Sequence, residues 1–413
     1  MERAVELAKK YYSTVPLYRN ISELYHIGEI ESMKDIPIIN KKDFIGMQSK
    51  CINPEYCKKY LSNNLLISRT SGSTGSYLQV IWDKTDIKCS LLELWLKRVK
   101  YYNIFPHNKL LYFFTDGAEN EIYREGKNEL GINKRLLLPH NIKEAYNVII
   151  KWDPDWMILQ PGTAILLYMH IQQNKLSTPT NLKYIEFTGE MLEPRVRKTV
   201  ETVFGCVTAD QYGANEVGTI AYECPERRLH IMRSNVFVEI ISDDGNVLAD
   251  STSGVYTNDE IEGRIVLTSL NNKAMPFVRY DIGDRGYISK KSCDCGCKSP
   301  ALMLSGGRNN DFIFFTEDGK ISSYIFVELL DKINKIINGG ILQFYIEQND
   351  YDSFVIRLYI DEDFNELEVS KIVSNFLKAN YPYEAKFRVE FVDYFMDLGV
   401  KGKYTYFKNN IKK

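Results

Sequence analysis

The chain has 413 residues, with 52 Lys or Arg against 54 Asp or Glu, a net charge of −2. At about 150 residues per domain this suggests two or three domains, and the balanced charge lacks the clustered basic excess of a nucleic-acid binder. The 44% hydrophobic and 26% charged content is that of a globular protein, with no apolar run of membrane-span length and no secretory leader in MERAVELAKKYY, so a cytoplasmic protein is expected.

Residues 1–60 read as helical and connective. ELAKKYY opens a helix, and IPIINKKDF is a Pro-broken extended segment leading into a short helix. From Leu65 an apolar run and a Gly/Ser turn precede the strand SYLQVIWD, and apolar residues then recur at helical intervals from Ile87 to Tyr102. LLYFFTD is a strand, KEAYNVIIKW a helix, DWMILQPG a buried strand and TAILLYMHIQQN a second helix. NLKYIEFTGE reads as strand then turn, and EPRVRKTVETVFG as helix. This alternation predicts an α/β fold with a largely parallel sheet. Beyond Tyr222, short strands joined by Asp-Gly, Glu-Gly and Ile-Gly turns predict antiparallel hairpins or a small barrel over about 222–305. After SGGRNNDFIFF the tail reads helix, strand, strand, helix, strand, a small α+β domain of its own. The expected division is 1–308 and 309–413.

Several segments could carry chemistry. Thr70-Ser71-Gly72-Ser73-Thr74-Gly75 lies between two strands, where glycines can aim backbone N–H groups at phosphate oxygens. It is not a Walker A loop, whose lysine is missing: the next one is Lys84. An ordinary Gly/Ser turn is the equal alternative. In Gln211-Tyr212-Gly213-Ala214-Asn215-Glu216, a carboxylate beside a Gly-containing turn could hold Mg²⁺ and an aromatic could stack on a base, against the plainer reading of a solvated turn. Asp284 in Arg279-Tyr280-Asp281-Ile282-Gly283-Asp284 closes a tight turn and could accept ribose hydroxyls, or simply be a turn aspartate. Gly306-Gly307-Arg308 and Lys401-Gly402-Lys403 could be surface loops.

Eight cysteines in this length do not make a disulfide scaffold. Cys293, Cys295 and Cys297 crowd one loop, and Cys224 and His230 form a second short pair. Cys224, His230, Cys293 and Cys295 are the expected ligands of a structural Zn²⁺, with Cys297 a substitute; free thiols are the alternative.

The order TSGSTG, Phe187-Thr188-Gly189-Glu190, YGANE, RYDIGD, GGRNND and a C-terminal GKY resembles that of adenylate-forming enzymes. IPIINKKDF, FTGEMLEPRVR, QYGANEVGTIAYECP and NNKAMPFVRYDIGD resemble most the phenylacetate–CoA ligase and CapK-like branch. The resemblance spans roughly 35–405. It implies a large N-terminal domain of parallel-sheet α/β layers with a small β-hairpin or barrel subdomain, then a small mobile α+β C-terminal domain. It implies that Thr70 to Gly75 cradle the ATP phosphates, with Thr74 in the catalytic set. Gly189 and Glu190 would wall the adenine, and Tyr212, flanked by Gln211 and Gly213, would stack on it. Glu216 would hold Mg²⁺, Asp284 the ribose hydroxyls, and Arg308 the ribose or phosphates. Lys403 would bridge the carboxylate and the α-phosphate, and Ala214 and Phe187 would line the acyl pocket.

Two departures stand out: Ser76-Tyr77 follows the loop where relatives often carry Lys, and Asn310 occupies the usual hinge-aspartate position. The implied activity is ATP- and Mg²⁺-dependent activation of an aryl or small carboxylic acid as its adenylate, with transfer to a thiol, CoA first. A carrier-protein phosphopantetheine, an amine acceptor, or a non-catalytic nucleotide-binding relative are the alternatives. Neither nucleic-acid nor membrane partners are expected, and the chain would be a monomer or homodimer.

Overall fold

The computed structural model of the protein describes residues 1–69, 78–115, 121–137, 141–252, 261–289, 291–308, 312–317, 319–323, 325–336, 341–360, 364–381, 384–392 and 407–411. Two compact units are distinguished by their internal contacts. One takes Met1–Asn108, Glu186–Gly189 and Ala209–Ser305; the other takes Lys109–Ile185, Glu190–Thr208 and Gly306–Lys413.

The first unit begins with helices Glu2–Thr14 and Pro16–Leu24, the second started by Pro16, whose fixed φ suits the first helical turn. Ala4, Val5, Ala8, Tyr11 and Tyr12 recur at three- and four-residue spacing and are buried. They join one core with Val236, Val238, Leu267, Phe277 and Tyr280. Tyr18 is fully buried, and its hydroxyl donates to Pro276 O at 2.8 Å while accepting the Val278 N–H at 3.0 Å. Ile39–Asn40, in IPIIN, pairs in parallel with Tyr280 and Asp281. The N-terminal segment thus braces the stretch that carries RYDIGD.

The strands of this unit are mainly antiparallel, in the order Val247–Asp250, Val236–Ile241, Gly263–Ser269, Tyr280–Ser289, Ala301–Arg308, Leu229–Ile231, Gly218–Glu223, Val207–Ala214. The expected hairpins beyond Tyr222 are therefore present. Two segments read as turns are strands instead. Gln211 to Ala214 end the strand Val207–Ala214, and Asp284 lies inside the ten-residue strand Tyr280–Ser289 rather than closing a turn. Gly283 makes this possible: its φ of +87° and a register jump from Arg264–Arg285 to Val266–Asp281 form a bulge within a continuing strand.

In the second unit Leu110–Phe114 pairs in parallel with both Glu129–Asn133 and Trp156–Leu159, and the short Tyr123–Glu125 adds an antiparallel edge. Helices Ile142–Trp152, Pro161–Asn174 and Pro194–Phe204 alternate with strands as the periodicity predicts. A separate four-stranded sheet runs Lys386–Val392, Ser353–Ile360, Ile341–Asp350, Phe407–Asn409, and helices Ile325–Ile336 and Glu366–Asn380 share its core. The strands and helices read in the tail are all found. Among the described residues no helix is long and apolar enough to cross a membrane.

Candidate active site

In the first unit, strands Val207–Ala214 and Gly218–Glu223 form a tight hairpin. Gly218 turns it with φ +77°, and a Cβ on Gly213 would stand 3.0 Å from Gly218 O, so both glycines serve the close approach. The intervening turn is held from two sides: the Trp82 indole donates to Asn215 O at 2.8 Å, and Asn272 Nδ2 donates to Glu216 O at 3.2 Å. Trp82 ends the strand Gln79–Trp82 that emerges from the Ser/Thr/Gly loop. That loop itself, Thr70 to Gly75, lies outside the described residues, as does Lys403.

Residues from distant segments meet at this hairpin. Tyr212 donates its hydroxyl to Asp284 Oδ2 at 2.6 Å, a charge-assisted bond across 72 residues of sequence. Tyr280, in the same strand as Asp284, donates to Glu216 Oε1 at 3.1 Å. Glu216 is 7% exposed, so its carboxylate is a nearly desolvated charge. Gln211 Nε2 donates to Thr219 Oγ1 at 2.6 Å, fixing the residue beside Tyr212. Ala214 is half-buried against the core. Tyr212 and Asp284, anticipated separately, are thus joined by a hydroxyl–carboxylate bond, and Glu216 is bonded to Tyr280 of the strand that carries Asp284.

The other anticipated residues stand apart. Phe187 is fully buried. Gly189 follows it with φ +81° at the end of the strand Tyr184–Thr188. In the second unit Glu190 accepts the Gly162 N–H at 3.0 Å, capping the helix Pro161–Asn174. Arg308 ends the strand Ala301–Arg308.

Two buried ion pairs had no local signature. Arg98 donates Nε to Glu186 Oε2 at 2.8 Å and a second nitrogen to Oε1, while Tyr222 donates to Glu186 Oε2 at 3.0 Å. This ties the strand leading to Gly189 to the hairpin of Tyr212. Arg279 donates Nε and Nη2 to Glu239 at 3.0–3.3 Å and Nη1 to Ile36 O at 2.6 Å, just ahead of Tyr280. Burial pushes the Glu239 carboxyl up, with Arg279 opposing.

The cysteine cluster lies at the far ends of the same strands. Ligand atoms of Cys224, His230, Cys293 and Cys295 all fall within 4.8 Å of one another. Cys224 Sγ is 3.6 Å from Cys293 Sγ, and Cys295 Sγ is 3.3 Å from His230 Nε2. A tetrahedral Zn²⁺ with bonds of ~2.3 Å to sulfur and ~2.0 Å to nitrogen needs donor separations of about 3.5–3.8 Å. His230 Nδ1 lies 2.7 Å from Ser299 O; a proton donated there leaves Nε2 as the metal-facing lone pair. The donor set fits zinc. Burial pushes the Cys224 thiol up to about 12, whereas at Cys293 hydrogen bonds from the Cys295 backbone and His230 outweigh burial and bring it to about 7. A cation would complete such a set by displacing its remaining protons.

No family model matches the chain. The chain is 22% identical over 402 residues to protein CapK of Staphylococcus aureus, covering 93% of this chain and 81% of that one. It is 23% identical over 331 residues to a phenylacetate–coenzyme A ligase of Thermus thermophilus, covering 76% and 70%. A 2-hydroxyisobutyryl-CoA ligase, solved in its postadenylation state with 2-HIB-AMP, shares the fold with a TM-score of 0.75 at 15% identity, covering 99% of this chain and 88% of that one. The chain is thus similar over most of its length to CapK and to a phenylacetate–CoA ligase, and it shares the fold of an acyl-CoA ligase of the adenylate-forming kind.

Proposed function

We propose that the protein is an ATP-dependent acid–thiol ligase that activates an aryl or small carboxylic acid as its acyl-adenylate, releases pyrophosphate, and passes the acyl group to CoA. The observation that carries this reading is a pair of hydroxyl–carboxylate bonds between one hairpin and one strand, Tyr212 to Asp284 and Tyr280 to Glu216. Tyr212, held at its hydroxyl by Asp284, presents a ring for adenine, and the Asp284 carboxylate accepts the ribose hydroxyls. Glu216 offers a hard oxygen donor suited to Mg²⁺, which when bound neutralises charge on the phosphate oxygens.

A carboxylate is a poor acyl donor because oxide would have to leave. Its attack on the α-phosphorus of ATP makes AMP the later leaving group, and a thiol then displaces AMP. Extra negative charge gathers on the phosphate oxygens in the first step, and the N–H groups of Thr70 to Gly75 and the Lys403 ammonium are the groups proposed to meet it. No general base is required, in keeping with a chain that has five histidines. We assign this catalytic lysine to a C-terminal domain over 309–413, hinged next to the core over 1–308, and a structural Zn²⁺ to Cys224, His230, Cys293 and Cys295.

ATP–pyrophosphate exchange across a panel of aryl, short-chain and amino acids tests the reading. Exchange dependent on one acid, lost in Glu216→Gln and Lys403→Ala, is expected. Silence across the panel in a protein that still binds ATP would sink it.

A further inference from the structure

Cys297 has no part in the four-donor set, yet the structure keeps it beside that set. Lys97, on the helix Lys84–Tyr102 and with a side chain only 10% exposed, donates its ammonium to Cys297 Sγ at 3.5 Å. The His230 imidazole stands 3.3 Å from Cys295 Sγ. Between the two cysteines Gly296 takes φ +74°, which brings the Cys297 N–H to 3.4 Å from Cys295 Sγ. No heavy atom lies within 4 Å of where a Cβ on Gly296 would stand, so this turn has space in which to move.

Spacing favours the same residue. Zinc sites commonly take two cysteines from one segment with two to four residues between them. Cys293 and Cys295 have one residue between them, and Cys293 and Cys297 have three.

We infer that Cys297 is a reserve ligand, and that the metal centre exchanges Cys295 for Cys297 on an otherwise constant set of Cys224, His230 and Cys293. The inference rests on the zinc reading above. In the exchange the metal–sulfur bond to Cys295 breaks and one to Cys297 forms. The Cys297 thiol gives its proton to solvent, and the released Cys295 thiolate takes one up. No electron is transferred. Both arrangements carry three thiolates and one imidazole, so the charge at the metal is unchanged.

Cobalt(II) is the probe, added to the full-length apo-protein and read by its visible d–d bands and its thiolate charge-transfer band. The wild type is expected to take one Co²⁺ per chain with the spectrum of a three-thiolate tetrahedral site. Cys295→Ser should keep the same charge-transfer intensity with affinity weakened no more than about tenfold, while Cys293→Ser and the pair Cys295→Ser/Cys297→Ser lose at least a hundredfold. Equal losses in Cys295→Ser and the double variant, or a drop to a two-thiolate spectrum in Cys295→Ser, overturn the reserve role and leave the zinc reading standing. A wild type that binds no cobalt overturns both.

Alkylation of the metal-loaded wild type serves where a variant fails to fold. Single modification at either Cys295 or Cys297 with the metal retained supports exchange. Modification confined to Cys297 refutes it.

Discussion

Replacing Arg279 by Met tests whether the strand bearing Tyr280 and Asp284 is held by its buried ion pair. Arg279 is 5% and Glu239 2% exposed. The arginine makes three contacts with the Glu239 carboxylate and one with Ile36 O. Removing one partner of such a pair strands the other in a desolvated place, at a cost of about 3–5 kcal/mol. Arg279 also sits at φ +48°. Met would carry the same backbone strain, so that contribution cancels in the comparison. For a chain of 413 residues each kcal/mol moves the unfolding midpoint by roughly 1 °C, so Arg279→Met should melt about 3–6 °C lower. Glu239→Leu added to Arg279→Met should recover at least half of that, because an apolar pair needs no compensation. Melting followed by circular dichroism at pH 7 reads both. A drop under ~2 °C in the single variant, or a double variant that simply sums the two losses, would refute the reasoning.

Two further outcomes follow from the geometry. At Asp83, burial alone would push the carboxyl up, but the Lys59 ammonium at 2.6 Å and the Thr85 N–H outweigh it and hold the carboxyl below its ordinary 3.8. Its stabilisation is therefore full above that value and lost as pH falls through the depressed one. Asp83→Ala should cost about 1–2 kcal/mol at pH 7, shrinking below pH 3.8 in urea unfolding; a cost that grows in acid would contradict the sign. Tyr212→Phe keeps the ring and loses the bond to Asp284, so the KM for ATP in pyrophosphate exchange should rise about fivefold, an effect of ~1 kcal/mol, with Tyr212→Ala considerably worse. Equal effects of the two would show that the ring contributes nothing.

Apolar periodicity was enough to read the helices Lys84–Tyr102, Ile142–Trp152 and Glu366–Asn380 and the strands Ile341–Asp350 and Ser353–Ile360, because each buries one face or stripe at a fixed period. The misreadings cluster where glycine and polar residues run through a strand. Gly213 and Gly283 look like turn residues in isolation, and only the opposing strand shows one as a close approach and the other as a bulge. The short Tyr123–Glu125 edge, polar and three residues long, offers no alternation to detect. Tyr212, Glu216 and Asp284 were legible as motif residues, but their bonds were not, since Tyr212 and Asp284 are 72 positions apart. Arg98–Glu186 and Arg279–Glu239, separated by 88 and 40 positions, lacked any local pattern at all. The four-donor cluster was visible because cysteine and histidine are rare enough here to be counted one by one.

Cys224 follows directly after the strand Gly218–Glu223, and Cys293 comes shortly after Tyr280–Ser289. A metal bond between these two would close a ring of 69 residues, which in polymer terms removes about 4 kcal/mol of disorder from the unfolded chain. Within that ring lie every strand from Leu229–Ile231 to Tyr280–Ser289, and with them Asp284. Tyr212 sits just outside it, on the partner strand of the one that leads into the knot. Cross-linking the chain there would shorten the search by which Tyr212 and Asp284 find each other, so the cysteine knot would act on the nucleotide residues as a folding constraint, at a distance and without touching the nucleotide.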